Sequence, residues 1–261
     1  MARKNSSRPK LVDINAGASE TRLQPGVRGR SPLNQFELAH EAIEDRLVNC
    51  QLRPGRYLAM QELQDLVGFG RTPVHQAVNR LAADTLLIVH PRRGLQIATI
   101  DLARERVLLR LRRDVERFVI RLAAEHSSPA HRSQMLHIKR QLRETHDQID
   151  IEHFNIIDRR IDRLFMAAAS EPFVESTLRP LHTIFRRIGW LYHSKLPAGL
   201  SLHRTIDVHL VLLDAVAHRH VDAAIAASDA LIDFVDSMFD VLEREIDPAL
   251  LDCSLDYLEG A

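Results

Sequence analysis

The chain has 261 residues, 45% hydrophobic and 27% charged, with 35 basic and 35 acidic side chains, a length that suits one or two domains with a buried core. No run approaches the ~18 uninterrupted apolar residues of a membrane span, and no apolar segment follows the basic start Met1-Ala2-Arg3-Lys4 to form a secretory signal. Cys50 and Cys253 are too few for a disulfide framework or a thiolate zinc site, so the expectation is a cytoplasmic globular protein without membrane contact.

The zero net charge is unevenly spread. Residues 1–100 hold 14 Lys and Arg against 9 Asp and Glu, whereas residues 101–261 hold 21 against 26. A basic end joined to an acidic one fits an anionic polymer held by one part of the chain, or simply a solvated tail. Residues 1–32 mix Arg, Lys, Ser, Gly and Pro without periodicity and read as a flexible basic tail.

From Leu33 a helical period begins: Phe36, Ala39, Ile43 and Leu47 form one stripe, and Leu52-Arg53-Pro54-Gly55 signals a turn. A short helix follows with Leu63, Leu66 and Val67 inward, closed by Gly68-Phe69-Gly70. Thr72-Pro73 then predicts a third helix, with Thr72 as the N-cap, Pro73 in the first position, and Val74, Ala77, Val78 and Leu81 facing inward. Next the period shortens. Leu86–Val89 and Leu95–Ala98, joined by His90-Pro91-Arg92-Arg93-Gly94, predict a hairpin with a doubly basic tip.

Beyond Asp101 the pattern is helical throughout. Leu108, Leu111, Val115, Phe118 and Leu122 predict the inward stripe of a first helix, and a second is expected over about 129–149. A third carries Phe154, Ile157, Ile161, Leu164, Phe165 and Ala168 up to Ser170-Glu171-Pro172. A fourth covers Leu178–Tyr192 and stops at Lys195-Leu196-Pro197-Ala198-Gly199. The last two flank Arg219, with His209, Leu213, Val216 and then Ala224, Ser228, Leu231 and Val235 inward. The fold class is therefore mainly α: a winged helix-turn-helix with a small β-hairpin wing over 33–100, then an antiparallel all-helical bundle over 101–247, with a tail at 248–261.

Two short helices around a glycine turn, followed by a basic-tipped hairpin, are built to read duplex DNA: the second helix enters the major groove and the wing reaches the backbone. The outward face of that helix offers Arg71, Thr72, His75, Gln76 and Asn79; Arg92, Arg93 and Gly94 form the wing.

The stretch from Ala42 to Gly94 resembles the winged-helix domain of GntR-type bacterial transcriptional regulators. It does so through Leu52-Arg53-Pro54-Gly55, Glu62-Leu63, Val67-Gly68-Phe69-Gly70-Arg71-Thr72-Pro73-Val74, Ala77-Val78-Asn79-Arg80-Leu81 and Arg92-Arg93-Gly94. The resemblance implies DNA contacts at Arg71 and Thr72 and near Arg92 and Arg93. His75 stands where the family usually has a base-reading arginine, and Gly70 stands for the usual serine. Imidazole cannot make the bidentate guanine contact of an arginine, so the expected consequence is a divergent operator with DNA binding kept.

Residues from about Asp101 to Glu245 are similar to the FCD effector domain of the FadR-like branch. The matching pieces are Leu111-Arg112-Arg113-Asp114-Val115-Glu116, Asp158-Arg159-Arg160-Ile161-Asp162, Ala169-Ser170-Glu171-Pro172, and His209 onward. That likeness implies a small-carboxylate effector, homodimerisation, and in many members a divalent metal ion held by one Asp and three His. Asp158 falls on the metal-binding Asp, Asp162 on a usual His, and His209 on a second His. The last His position is Leu231, which has no donor atom. Two carboxylates and one imidazole favour Mg²⁺, Mn²⁺ or Ca²⁺ over Zn²⁺. Alternatively Asp158 and Asp162 pair with Arg159, Arg163 or a neighbouring helix, and a metal-free cavity is the expected state. An anionic effector then needs arginines, for which Arg112 and Arg186, with Arg187, are the candidates; Arg112 alternatively pairs with Glu116. Tyr192 and His203 complete the expected lining.

Two other functions stay open on sequence. One is a DNA-binding regulator whose helical domain only dimerises. The other is an all-helical metal-dependent enzyme: Asp158-x-x-x-Asp162 resembles a magnesium-diphosphate grip, but no second aspartate-rich motif accompanies it.

Overall fold

The computed structural model describes residues 32–195 and 202–257. The basic stretch 1–31, the Leu196–Gly199 stop signal and residues 258–261 lie outside the described residues. The chain begins with helix α1 (Pro32–Val48), strand β1 (Tyr57–Leu58), helices α2 (Met60–Val67) and α3 (Arg71–Ala83), and strands β2 (Leu87–His90) and β3 (Gly94–Ile97). Its core is the union of the expected stripes: Ala39, Ile43, Leu47, Leu63, Val74, Ala77, Val78 and Leu81 are buried against Leu87, Leu95 and Ile97. Leu66 departs from expectation. It is exposed, because α2 is short and presents only Leu63 and Val67 inward.

The wing is a three-stranded antiparallel sheet in the order β1-β3-β2, not a simple hairpin. Two-residue β1 pairs Tyr57 with Gln96 and Leu58 with Leu95, a strand too short for any period to show in sequence. Gly94 has φ +92°, and a Cβ there would stand 2.6 Å from the Leu58 carbonyl oxygen, so the turn at the wing tip requires glycine.

Among the described residues six helices follow: α4 (Leu102–His126), α5 (Pro129–Glu144), α6 (Ile151–Ala169), α7 (Pro172–Ser194), α8 (His203–Ala217) and α9 (Val221–Glu245). Helix α4 packs on α6 and α9, α8 on α5 and α9, and α7 on α4, α6 and α9. Pro172, read as part of a stop signal, instead occupies the first turn of α7, where its missing N–H leaves no bond unmade.

The stripe expected inside α4 is turned outward. Leu111 and Phe118 are exposed, and Leu108, Val115 and Leu122 are only partly buried. The inward face instead carries Glu105, Leu109, Arg112, Glu116, Val119 and Ala123. An apolar period finds a face only when the core behind it is apolar, and this core contains charges.

Helix α7 also packs against α1, and its Ile184 joins the core of the winged-helix module. Around that contact Glu41 of α1 pairs with Arg163 at 2.5 Å, Asp45 with Arg159, and Asp84 with Arg179. The segment 248–257 forms two 3₁₀ turns, Pro248–Leu250 and Cys253–Tyr257. They are pinned to the module by bonds from Ile100 N–H to the Leu251 carbonyl and from Cys253 N–H to the Pro54 carbonyl, each 2.9 Å.

Candidate nucleic-acid interface and effector cavity

Helix α3 starts two residues earlier than expected. Gly70 is the N-cap, in an extended conformation without a side-chain capping bond, so Thr72 and Pro73 lie inside the first turn. Val74 N–H already bonds to the Gly70 carbonyl and Pro73 has none, which leaves the Arg71 and Thr72 N–H groups at the positive end of the helix dipole. An uncapped helix start of this kind accepts phosphate. Arg71, Thr72, His75, Gln76 and Asn79 are all exposed, while the opposite face is fully buried. His75 and Asn79, one turn apart, lie 3.4 Å from each other through Nδ1 and Nδ2. Arg92 and Arg93 are exposed at the wing tip.

The second constellation lies in the bundle. Arg112, Asp158, Asp162, Arg186 and His209, each expected at the site, line one cavity of about 50 Å³ together with Phe154, Phe185, His193 and Leu231. Arg112 donates from Nε to Glu116 at 2.7 Å and lies over the Phe185 ring, so it both lines the cavity and makes the intrahelical pair. Arg186 donates from Nε to Asp158 at 2.9 Å and from Nη2 to Asp162 at 2.8 Å. His209 Nε2 meets the other Asp158 oxygen at 3.0 Å, and its Nδ1 is 2.6 Å from the Thr205 carbonyl. A larger cavity of about 570 Å³, within the range of small-molecule sites, lies between α1 and α3 on one side and α6 and α7 on the other. Asp162, His182 and Arg186 line both spaces and so form the wall between them.

The electrostatics follow from burial opposed by pairing. Desolvation alone would raise the Glu116 carboxyl, but Arg112 and His182 outweigh it and hold it at about 2. Glu44 of α1 is likewise held at about 2, against burial, by Arg186, Arg159 and a hydrogen bond from Thr183. Asp158 is held well below the usual carboxylate range by His209 and Arg186, again against its burial. Burial lowers the His209 imidazole, yet its contact with Asp158 raises it on balance.

The expected metal set does not assemble. Among the described residues the groups whose ligand atoms converge within 4.8 Å are Glu116, Asp162 and His182, and His146, Asp147 and His203; the set of Asp158, Asp162 and His209 is not one of them. A guanidinium holds Asp158 and Asp162, and Leu231 is apolar and buried. A divalent ion between them would have to displace that guanidinium from both carboxylates. The expected set of Asp158, Asp162 and His209 therefore does not fit the metal as it is arranged. The carboxylates two residues to either side of Leu231 on α9, Asp229 and Asp233, pair with Arg117 and Arg113 of α4.

Three further expectations are corrected. Arg187 turns away from the cavity to Glu105, at 3.2 Å, and the Ala98 carbonyl, at 3.3 Å. Tyr192 is not in the lining and packs edge-on against Phe234 and His193. His203 lies in the His146 group, stacked on that imidazole. Sequence reasoning missed Glu44 and His182 altogether. Glu44 sits in the module read as DNA-binding, and its only local sign was a charged residue one position from the stripe residue Ile43.

A winged helix-turn-helix module with an exposed, uncapped recognition helix, joined to a helical bundle with a charged interior, defines a DNA-binding transcriptional regulator. Residues 37–97 match the gntR family of bacterial regulatory proteins, and residues 107–234 match the FCD domain. The chain belongs to the GntR family, in its FadR-like branch with an FCD domain, and is a regulator and not an enzyme. It is 24% identical over 204 residues to the HTH-type transcriptional repressor RspR of Escherichia coli (strain K12), covering 78% of this chain and 86% of that one. It is 24% identical over 165 residues to the HTH-type transcriptional regulator McbR of the same strain, covering 62% and 73%. The solved structure of E. coli McbR/YncC has the same fold, with a TM-score of 0.68 at 18% identity over 80% of this chain and 99% of that one. No helix among the described residues is long and apolar enough to cross a membrane.

Proposed function

We propose that the bundle senses a small carboxylate-bearing metabolite through Arg112, Asp158, Asp162, Arg186 and His209, and that two copies of the chain address a near-palindromic operator in the cytoplasm. Arg71, Thr72, His75, Gln76 and Asn79 enter the major groove, with Arg92, Arg93 and Gly94 at the backbone. The likeness to a repressor supports repression as the output.

One observation carries the sensing reading: buried charges form the wall between the two cavities, where apolar packing would cost less. A carboxylate entering from the larger space competes with Asp158 and Asp162 for Arg186, and Glu44 of the DNA-reading module is bonded to that same arginine. Ligand binding thus biases the seating of α1, which is the differential contact that coupling requires. Dimerisation is supported by the outer face of α4, where Val107, Leu111 and Phe118 are 61%, 46% and 50% exposed along one line.

A second reading, a helical domain that only dimerises, is favoured by the small size of the inner cavity and by the internal pairing of its charges. Thermal unfolding against a panel of mono-, di- and tricarboxylic acids separates the two. Sensing predicts that at least one acid raises the midpoint as RT ln(1 + [L]/Kd) and changes operator affinity, and that Arg112→Met abolishes both effects. If every acid leaves midpoint and affinity unmoved, the second reading stands. Sedimentation of Phe118→Asp is expected to show monomer where the wild type shows dimer; a wild-type monomer contradicts the proposed assembly.

A further inference from the structure

The three nitrogens of Arg186 go to three different carboxylates. Nε reaches Asp158 at 2.9 Å, Nη2 reaches Asp162 at 2.8 Å, and Nη1 reaches Glu44 at 3.5 Å. The first two acids lie one turn apart on α6 and so share a face, as a chelating pair would. The third belongs to α1 of the DNA-reading module. The arginine side chain is only 6% exposed, as is that of Glu44, so bulk water screens this pair poorly. A planar guanidinium with five fixed donors meets several carboxylates at once, a geometry a lysine ammonium does not reproduce.

We infer that Arg186 is the resident cation of this bundle, taking the place a divalent ion would occupy between Asp158 and Asp162, and that through Glu44 it ties the state of the cavity to the seating of the DNA-reading module. The site is then metal-free by construction. Its cation is covalently part of α7 and is never lost to a chelator. Because the same group serves cavity and module, anything that draws it toward the α6 acids or away from them acts on α1 directly. The inference concerns the same cavity as the effector reading but does not depend on any effector. Its failure shows in metal content and amide exchange, whereas failure of the effector reading shows in the carboxylate panel.

The test uses the full chain and divalent ions alone as probes. The wild-type protein is expected to contain no stoichiometric Mg, Ca, Mn, Fe, Co, Ni, Cu or Zn by elemental mass spectrometry, and to unfold at the same midpoint in EDTA, Mn²⁺ or Ni²⁺. The double variant Arg186→Met, Leu231→His frees both α6 acids and adds an imidazole beside His209. It is expected to acquire one equivalent of Ni²⁺ and a midpoint that rises with its concentration. If that variant does not fold, Arg186→Lys keeps one charge but cannot bridge three acids. Amide exchange across α1 (Pro32–Val48) is then expected to quicken at least about tenfold while the α8 and α9 cores stay protected. A stoichiometric ion in the wild type, lost to EDTA with a fall in midpoint, overturns the assignment of the cation. Unchanged α1 exchange in folded Arg186→Lys overturns the link to the module.

Discussion

Arg71→Ala is expected to weaken binding to the selected operator by about ten- to a hundredfold, in line with the ~1–3 kcal/mol a good arginine contact provides. Arg71 opens α3, is exposed, and sits where two backbone N–H groups and the helix dipole already favour a phosphate. The salt dependence tells which contact it makes. If Arg71 reads a base edge, affinity for the operator falls while affinity for random duplex is nearly kept. If it neutralises a phosphate, both fall together, and the slope of log K against log salt shrinks by about one. His75→Ala is expected to change sequence preference at one position of each half-site with a smaller loss, because an imidazole cannot make the bidentate guanine contact. Competition binding across a salt series measures both. Unchanged affinity in Arg71→Ala removes α3 from the interface.

Glu116→Leu is expected to destabilise the fold by about 3–5 kcal/mol, the cost of stranding a buried charge. Arg112 has its ion pair with Glu116, at 2.7 Å, and both side chains are under a tenth exposed. The double variant Arg112→Met, Glu116→Leu is expected to regain wild-type stability or exceed it, since a buried pair seldom outperforms apolar packing of similar volume. Acid should act as the single variant does. Glu116 and Glu44 are ordinary carboxylates near 4.5 when unfolded and are held at about 2 in the fold, so each contributes about 3 kcal/mol above pH 4.5 that is lost as the pH falls toward 2. His209 runs the other way: its raised imidazole contributes fully below 6.5 and loses that contribution as the pH rises through its folded value. Chemical denaturation of the two variants and the wild type between pH 2 and 8 checks all three statements. A single variant as stable as the wild type means that Arg112 finds another partner.

What could be read from sequence followed the chemistry of each burial. Val74, Ala77, Val78 and Leu81 announce the buried face of α3 because everything behind them is apolar, whereas Thr72-Pro73 put the start of that helix two residues too late. The stripe of α4 misled for the opposite reason. Its inward positions include Arg112 and Glu116, so the most regular apolar line along that helix is the outer one. Strand β1 left no sign, being two residues long and held by its pairing with β3. In the cavity the five residues singled out do come together, but their arrangement was not legible. Nothing local says that Arg186 and not Arg187 turns inward, nor that Glu44, 142 residues away in sequence, shares its guanidinium. Those are facts of packing between helices.

Presentation of α3 and the wing to duplex DNA is tested most directly by selection of purified protein against a random duplex library, followed by binding of the winner over a range of salt. An enriched near-palindrome with half-sites about one helical turn apart is expected, bound with an affinity that falls steeply as salt rises. No enriched sequence, and no retention of any duplex even in dilute buffer, would contradict that presentation.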